Sequence, residues 1–375
     1  MAINWIGNRY REQYEYVKVS WQNWNEIGVY DYITGGSVEL SASSELKATG
    51  DFTFQGTALP DVNNLLRVYY SFYDDQNNYE RKPIATFFIS YGDVNMLSTS
   101  AGIVSSGNIT ASSMLVLLQK PLTGRPYTIK KNSNAIYIAQ KIVRDHGLNV
   151  DFTPDSTIVS ADHTFTAGTS YLEIVNWLCK VADYRQAHTD EYGTVLLKPK
   201  REILQNDSVW TFKNNNDSIM YPEVQETNNW QETPNVVRLL YATDNACAIA
   251  EAKNITGSKT SLEANGNRES TKFEEIGEVG KGKILTKLIN MAEKKLLDVS
   301  CDTEYVTFSH AWIPINVFDI VTINYATKSW FGNVDTMSIQ LSPSTKTQTK
   351  IRRDLYDNIV VSKTGEVIWN RDSTL

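Results

Sequence analysis

Between Tyr127 and Pro199, apolar residues recur twice at helical spacing, with strand-like stretches around them. Ala135, Ile136, Ile138, Ala139, Ile142 and Val143 form the first stripe. It ends at Gly147, where a residue without Cβ can take a left-handed φ. The second stripe is Tyr171, Ile174, Val175, Leu178 and Ala182. Ser170 and Glu173 open it at the spacing of a capping box. A polar turn at 184–187, Gly193 and a strand from Thr194 to Leu197 follow. The pattern predicts a compact α/β unit.

The flanks alternate with period two instead, the strand signature. Before the α/β unit, Val17, Val19 and Trp21 share one face, then Val38, Leu40 and Ala42, then Phe52 and Phe54. Leu65–Phe72 and Lys82–Ser90 read as a hairpin around the turn residues Asp74–Asn78, and Ala111–Gln119 as a further strand. After the unit, strands are expected at 209–212, 236–241, 304–309, 317–324 and 330–341. A third helix is expected over 281–297, with Ile284, Leu285, Leu288, Ile289, Ala292 and Leu296 on one stripe. Lys294 and Lys295 sit near its negative end. Residues 250–280 are polar and Gly-punctuated and read as a long loop or surface arm. In the tail, Lys363-Thr364-Gly365 is expected to turn 351–369 into a hairpin. Many short strands with frequent turns indicate a barrel or sandwich. No residue-level repeat is visible.

The chain has 375 residues, enough for several domains. A hydrophobic content of 41% argues against disorder. No apolar run is long enough for a membrane span, and the amino terminus is not a secretory signal. Cys179, Cys247 and Cys301 are far apart and odd in number, as in a protein made in a reducing cytosol; Cys179 is expected as a buried thiol. The net charge of −7 argues against a broad nucleic-acid-binding field. With 20 Tyr, 9 Trp and 12 Phe, the composition favours strands and subunit interfaces.

Candidate chemistry is sparse. His146, His163, His188 and His310 match no metal-ligand spacing. His146 is expected as a helix C-cap, the other three at the surface. Asp183, His188, Asp190 and Glu191 form the densest polar cluster and read as a solvated turn. Gly277, Gly280, Gly282 and Lys283 resemble a phosphate loop only loosely. Lys350, Arg352 and Arg353 form a small basic knot that suits an acidic neighbour. No catalytic residue, cofactor or metal is expected. A peptidoglycan hydrolase or a carbohydrate-binding protein with exposed tryptophans stays open as an alternative.

The order of parts resembles the tail hub (baseplate hub) proteins of bacteriophages and the hub portion of type VI secretion spikes. The stretches that carry the resemblance are DYITGGSVELSASSELKATGDFTF (31–54), LLRVYYSFYDD (65–75) with KPIATFFIS (82–90), and SSMLVLLQK (112–120). NSNAIYIAQKIVRDHGLNV (132–150), GTSYLEIVNWLCKVADYRQAHTDEYGTVLLKP (168–199), ETPNVVRLLYA (232–242) and the helix of 281–297 complete it. The resemblance implies an α+β, mainly β chain with two hub-type β-barrels, a small inserted α/β domain and a further helix. The expected divisions are 1–125 for the first barrel, completed by strands from 205–245, and 126–204 for the α/β domain. The second barrel region is 205–345, and 346–375 a terminal hairpin. It further implies a homotrimer at the distal end of a virion tail, assembled in the bacterial cytoplasm. Such a ring adapts a sixfold tube to a threefold spike or fibre, contacts the tape-measure end, and lets DNA pass without specific binding. Tyr69, Tyr73, Tyr79 and Phe87, on the 69–86 hairpin and just beyond it, are the expected tube or ring contacts, with 250–280 as a further ring contact.

Overall fold

A computed structural model describes residues 10–57, 61–73, 79–99, 102–200, 207–214, 219–228, 233–242, 246–276, 284–300, 304–342, 346–353 and 359–370. The turn at 74–78, the glycine loop at 277–283, most of the loop at 214–217 and Cys301 lie outside these residues.

The amino-terminal half supplies β1 (Tyr10–Val19), β2 (Glu26–Val29), β3 (Ile33–Ser41), β4 (Ala48–Gly56), β5 (Leu65–Tyr73), β6 (Tyr79–Thr99) and β7 (Gly102–Ser113). All neighbouring pairs run antiparallel in the order β3-β4-β7-β6-β5-β1-β2. β4 buries Ala48, Gly50, Phe52 and Phe54 and exposes Asp51, Thr53 and Gln55, as its alternation predicts. β5 is buried at every position but its last. Leu66, Val68, Tyr70 and Phe72 enter one core, while Leu65 and Tyr69 enter another, under the α/β unit. The strand expected to reach Gln119 stops at Ser113, and Met114–Gln119 is a 3-10 helix that buries Met114, Leu115 and Leu118. A short continuous apolar run does not reveal its period.

The α/β unit contains β8 (Tyr127–Ile129), α1 (Ala135–Asp145), β9 (Val150–Phe152), β10 (His163–Phe165), α2 (Tyr171–Val181), β11 (His188–Thr189) and β12 (Val195–Leu197). Both bonds of the expected capping box are present: Glu173 N–H donates to Ser170 Oγ at 3.1 Å, and Ser170 N–H to the Glu173 carboxylate at 2.9 Å. Gly147 follows α1 at φ +76°. The two helices share one core with the back of β1 and β5.

The carboxyl-terminal half supplies β13 (Trp210–Lys213), β14 (Met220–Asn228), β15 (Val236–Ala242), β16 (Ala246–Thr256), β17 (Thr271–Ile276), α3 (Ile284–Ser300), β18 (Glu304–His310), β19 (Ile320–Tyr325), β20 (Lys328–Gln340), β21 (Thr347–Arg353) and β22 (Val360–Asn370). Six of these strands extend the first sheet. The bridge is β20 to β3, from Thr336↔Ser41 to Gln340↔Ser37. The fold is α+β and mainly β, but the two expected barrels are halves of one continuous 13-stranded sheet over a common core. Among the described residues the ladders do not close into a ring. The strands of 205–245 do not complete the first half: β13 pairs β19, β14 pairs β18, and β15 belongs to another sheet.

That other sheet runs β17-β15-β16-β22 and packs one face on α3. It overturns two expectations. The 250–280 stretch is not one loop, since it holds the end of β16 and all of β17. β16 buries Ala246, Ala248, Ala250 and Ala252; alanine is a weak strand former, so the alternation did not register as a strand. The expected hairpin at 363–365 is the middle of one straight-through strand, β22. Gly365 is there for a close approach: a Cβ would lie 2.8 Å from Ile289 and 2.9 Å from Leu285 of α3.

The large sheet carries a duplication invisible in the residues. Its five strands β3-β4-β7-β6-β5 recur as β14-β18-β21-β20-β19, antiparallel throughout and in the same chain order. β6 and β20 even share a ladder irregularity, between Tyr91 and Val94 against β7, and between Val334 and Thr336 against β21. The halves differ at one edge, where β1 runs antiparallel to β5 but β13 parallel to β19.

Candidate interaction surface

The four expected contact residues lie in different environments. Phe87 is fully buried, with its ring 5.9 Å from that of Phe52. Tyr69 is 5% exposed. Both are packing residues, because the face each occupies is covered by another part of the chain. Tyr79 is 44% exposed, and its ring lies 5.3 Å from that of half-buried Tyr73.

A charged network surrounds this tyrosine pair. The Arg81 guanidinium lies 4.4 Å over the Tyr69 ring, 2.8 Å from the Glu26 carboxylate and 3.7 Å from that of Glu15. Arg67 approaches Glu26 at 3.9 Å. The Tyr69 hydroxyl donates to Glu26 at 2.5 Å, and the Tyr79 hydroxyl donates to Glu15. Burial alone would raise the Glu26 pKa, but the bonds from Tyr69 and Arg81 outweigh it and hold the carboxyl below its usual range. Burial, with Glu15 beside it, pushes Tyr79 up to about 12. The patch therefore holds Glu26 as an internally paired carboxylate and Tyr79 as a neutral phenol near pH 7: an aromatic tip in a polar rim, suited to contact. Glu15, Glu26, Arg67 and Arg81 escaped sequence reasoning, since only the cross-strand register (Glu15↔Tyr69) brings them together.

A cavity of about 380 Å³ lies between β6, the stretch after α2, and residues 312–319; its lining includes Arg185, His188, Glu191, Phe318 and Asp319. His188 Nδ1 lies 3.1 Å from the Gln186 carbonyl, and burial pushes this imidazole down to about 4. Asp319 accepts the Asn316 N–H at 2.7 Å, and burial raises its pKa. Each is held by backbone, so they do not form a coupled acid and base. The surroundings fasten the α/β unit to the sheet. Lys47, 2% exposed, donates to the Ala42 carbonyl and to Gln186 Oε1, each at 2.7 Å; Thr86 Oγ1 donates to the Glu191 carbonyl at 2.9 Å. Burial pushes Lys47 down to about 8.

The other candidates are placed as follows. His146 caps α1, with Nδ1 2.8 Å from the Ile142 carbonyl. His188 and His310 are buried and not at the surface, because each has polar partners inside; His310 Nε2 meets Thr349 Oγ1 at 2.8 Å. His163 stacks on Trp177 at 4.3 Å. Asp183 is exposed and faces Lys294 at 3.5 Å, so it stands apart from His188 and Glu191, which line the cavity together. Cys179 is buried, which pushes its thiol up to about 12. Among the described residues, no group of three or more His, Cys, Asp or Glu is placed to hold a metal ion. No described helix is long and apolar enough to cross a membrane.

The distal half of the β6–β7 ribbon is exposed. From Val94 to Gly107 it holds no charged residue. Met96, Leu97 and Ile103 are 63%, 66% and 57% exposed. β5 pairs β6 only as far as Phe87, and beyond it no described strand covers that edge. Sheet edges are commonly guarded by charges or bulges; this one has the irregularity at Tyr91–Val94 and, from Val94 onward, no charge.

No family model matches the chain, and no curated protein matches its sequence. Solved structures do match. The tail protein of Neisseria meningitidis MC58 superposes with a TM-score of 0.64 at 12% identity, over 92% of this chain and 98% of that one. The 43 kDa tail protein of prophage MuSo2 from Shewanella oneidensis gives 0.62 at 10% identity, over 91% and 98%. A chain of the Francisella PdpA–VgrG complex gives 0.54 at 10% identity, over 94% of this chain and 59% of that one. The chain has the fold of these two tail proteins and of the Francisella complex chain, in agreement with the tail and baseplate hub family that its sequence resembles.

Proposed function

We propose that this chain is a structural subunit of a phage-type tail: a homotrimeric hub at the distal end of the virion, with no catalytic role. One observation carries the reading, the duplicated five-strand unit and the way its halves join. Past the last pair with β19, β20 uses its free edge, Thr336–Gln340, to pair with β3. β6 is the counterpart of β20, and its corresponding edge past Phe87 has no strand on it among the described residues. β14 is the counterpart of β3, and its outer edge is likewise without a described strand. Joining β6 of one copy to β14 of the next repeats the internal junction between chains. Such a contact is heterologous, and in this reading its rotation closes after three chains into a ring. Three chains then present six similar units, matching a sixfold tube on one side and a threefold spike or fibre on the other.

In this reading residues 1–125 and 205–353 furnish the two ring units, since β21 belongs to the second of them, and 126–204 the module outside them. Tyr73 and Tyr79 contact the tube or distal tail protein. The axial opening takes the tape-measure end and then DNA, and the net charge of −7 keeps the wall from holding a polyanion. Light-scattering mass measurement of the purified chain, alone and with the tube protein, tests it. A trimer is expected in the presence of the tube protein. Met96→Lys with Leu97→Lys, both at exposed sites, is expected to keep the fold and abolish the trimer. A chain that stays monomeric with the tube protein refutes the ring.

A further inference from the structure

At the internal junction β20 and β3 pair antiparallel from Thr336↔Ser41 to Gln340↔Ser37. Just outside that run the Ala42 N–H donates to the Asp335 carbonyl at 2.7 Å, and the Leu341 N–H to the Gly36 carbonyl at 2.8 Å. Directly opposite residues of an antiparallel ladder alternate between hydrogen-bonded and non-hydrogen-bonded pairs. Gln340 and Ser37 are therefore a non-hydrogen-bonded pair. Ile339 is fully buried in the common core, and Gln340 is exposed.

The duplication carries this register to the open edges. Tyr91 and Val94, on either side of the β6 irregularity, pair Ile109 and Gly107. Val334 and Met337 of β20 pair Ile351 and Thr349 around the same irregularity. Tyr91 thus corresponds to Val334, Val94 to Met337, Met96 to Ile339 and Leu97 to Gln340. The packing agrees: Phe87 and its counterpart Trp330 are both buried, and Val94, like Met337, lies against the common core. On the other strand, Phe52 pairs Ile109 and Val306 pairs Ile351. Gly36, opposite Phe52, then corresponds to Glu226, opposite Val306, and Ser37 to Thr227. Met96 is 63% exposed where its counterpart Ile339 is fully covered.

We infer that the contact between copies keeps the register of the internal junction: Leu97 of one copy lies directly opposite Thr227 of the next, Met96 turns into the core, and Leu97 stays on the opposite, exposed face. The inference rests on the ring reading and adds to it the pairing of residues and the face each side chain takes. A slip of one residue would send Leu97 inward and Met96 out.

The test compares two double variants of the full chain, oxidised in the presence of the tube protein: Leu97→Cys with Thr227→Cys, and Leu97→Cys with Gln225→Cys. All three positions are exposed. Residues at a non-hydrogen-bonded pair have Cα atoms about 4.5 Å apart, within disulfide range, whereas diagonal neighbours lie about 7–8 Å apart, beyond it. Denaturing electrophoresis without reductant should show linked dimers and trimers from the first variant and at least about ten-fold less from the second, with the single variants as background. Met96→Lys alone should abolish the trimer seen by light scattering, and Leu97→Lys alone should keep it, both with an unchanged circular dichroism spectrum. A trimer that links equally through both cysteine pairs, or not at all through the first, overturns the register and leaves the ring standing. So does a trimer that survives Met96→Lys and is lost with Leu97→Lys. Absence of any trimer overturns the ring and the register together.

Discussion

Phe87→Ala separates a packing role from a contact role most cleanly. Phe87 was an expected interface residue, and the structure buries it completely between the sheet and its core. A buried phenylalanine removes about 150–250 Å² from water, which at about 25 cal/mol per Å² is roughly 4–6 kcal/mol of gross stabilisation. Its edge-to-face contact with Phe52 at 5.9 Å adds about 1 kcal/mol. Partial relaxation of the cavity brings the expected loss to about 3–5 kcal/mol. With a urea slope of about 3 kcal/mol per M, the midpoint falls by about 1 M or more and the slope is unchanged. Tyr79→Ala, by contrast, removes a half-exposed ring and should cost no more than about 1 kcal/mol while weakening association with the tube protein. Urea titrations followed by tryptophan fluorescence, with light scattering in parallel, read both effects. A Phe87→Ala chain of near-normal stability that fails only in assembly would show that the side chain faces a partner, and the core assignment would be wrong.

The remaining predictions concern two single residues. Gly365→Val places methyls against Ile289 and Leu285, where a Cβ already meets atoms at 2.8 Å; overpacking should cost about 1–3 kcal/mol, and hydrogen exchange should accelerate in 284–300 and β22 more than in the large sheet. Unchanged protection there would exclude the close approach. Lys47 has a folded-state pKa of about 8, below its ordinary value, so between that pH and the unfolded pKa the unfolded chain binds more protons and this residue makes stability rise with pH. Lys47→Met should remove that rise from the difference between variant and parent over about pH 8–10. An identical pH slope in both proteins would mean that Lys47 is hydrated in the fold.

The helices were legible because their signals are local. Ser170, Glu173 and Gly147 act within a turn of the residues they terminate, so α1 and α2 appear where spacing puts them. The strand pattern told which residues avoid water but not what covers them. Tyr69 and Phe87 carry the same signal as interface aromatics, and only the neighbours of β5 and β6 decide that they are inside. Glu15, Glu26 and Arg81 are distant in sequence, and their network exists only through the register of β1 on β5 and the packing of β2.

The amino-acid order by itself determined the class of the chain and the α/β unit between two strand-rich stretches. Short-range hydrogen bonding and periodicity suffice for these. Tertiary structure alone decided that both strand-rich stretches share one sheet through β20 and β3, that they repeat one five-strand plan, and which edges stay open. Strand pairing joins residues hundreds of positions apart through backbone groups common to every amino acid. Its partners are chosen by the geometry of the whole assembly and leave little trace in the side chains.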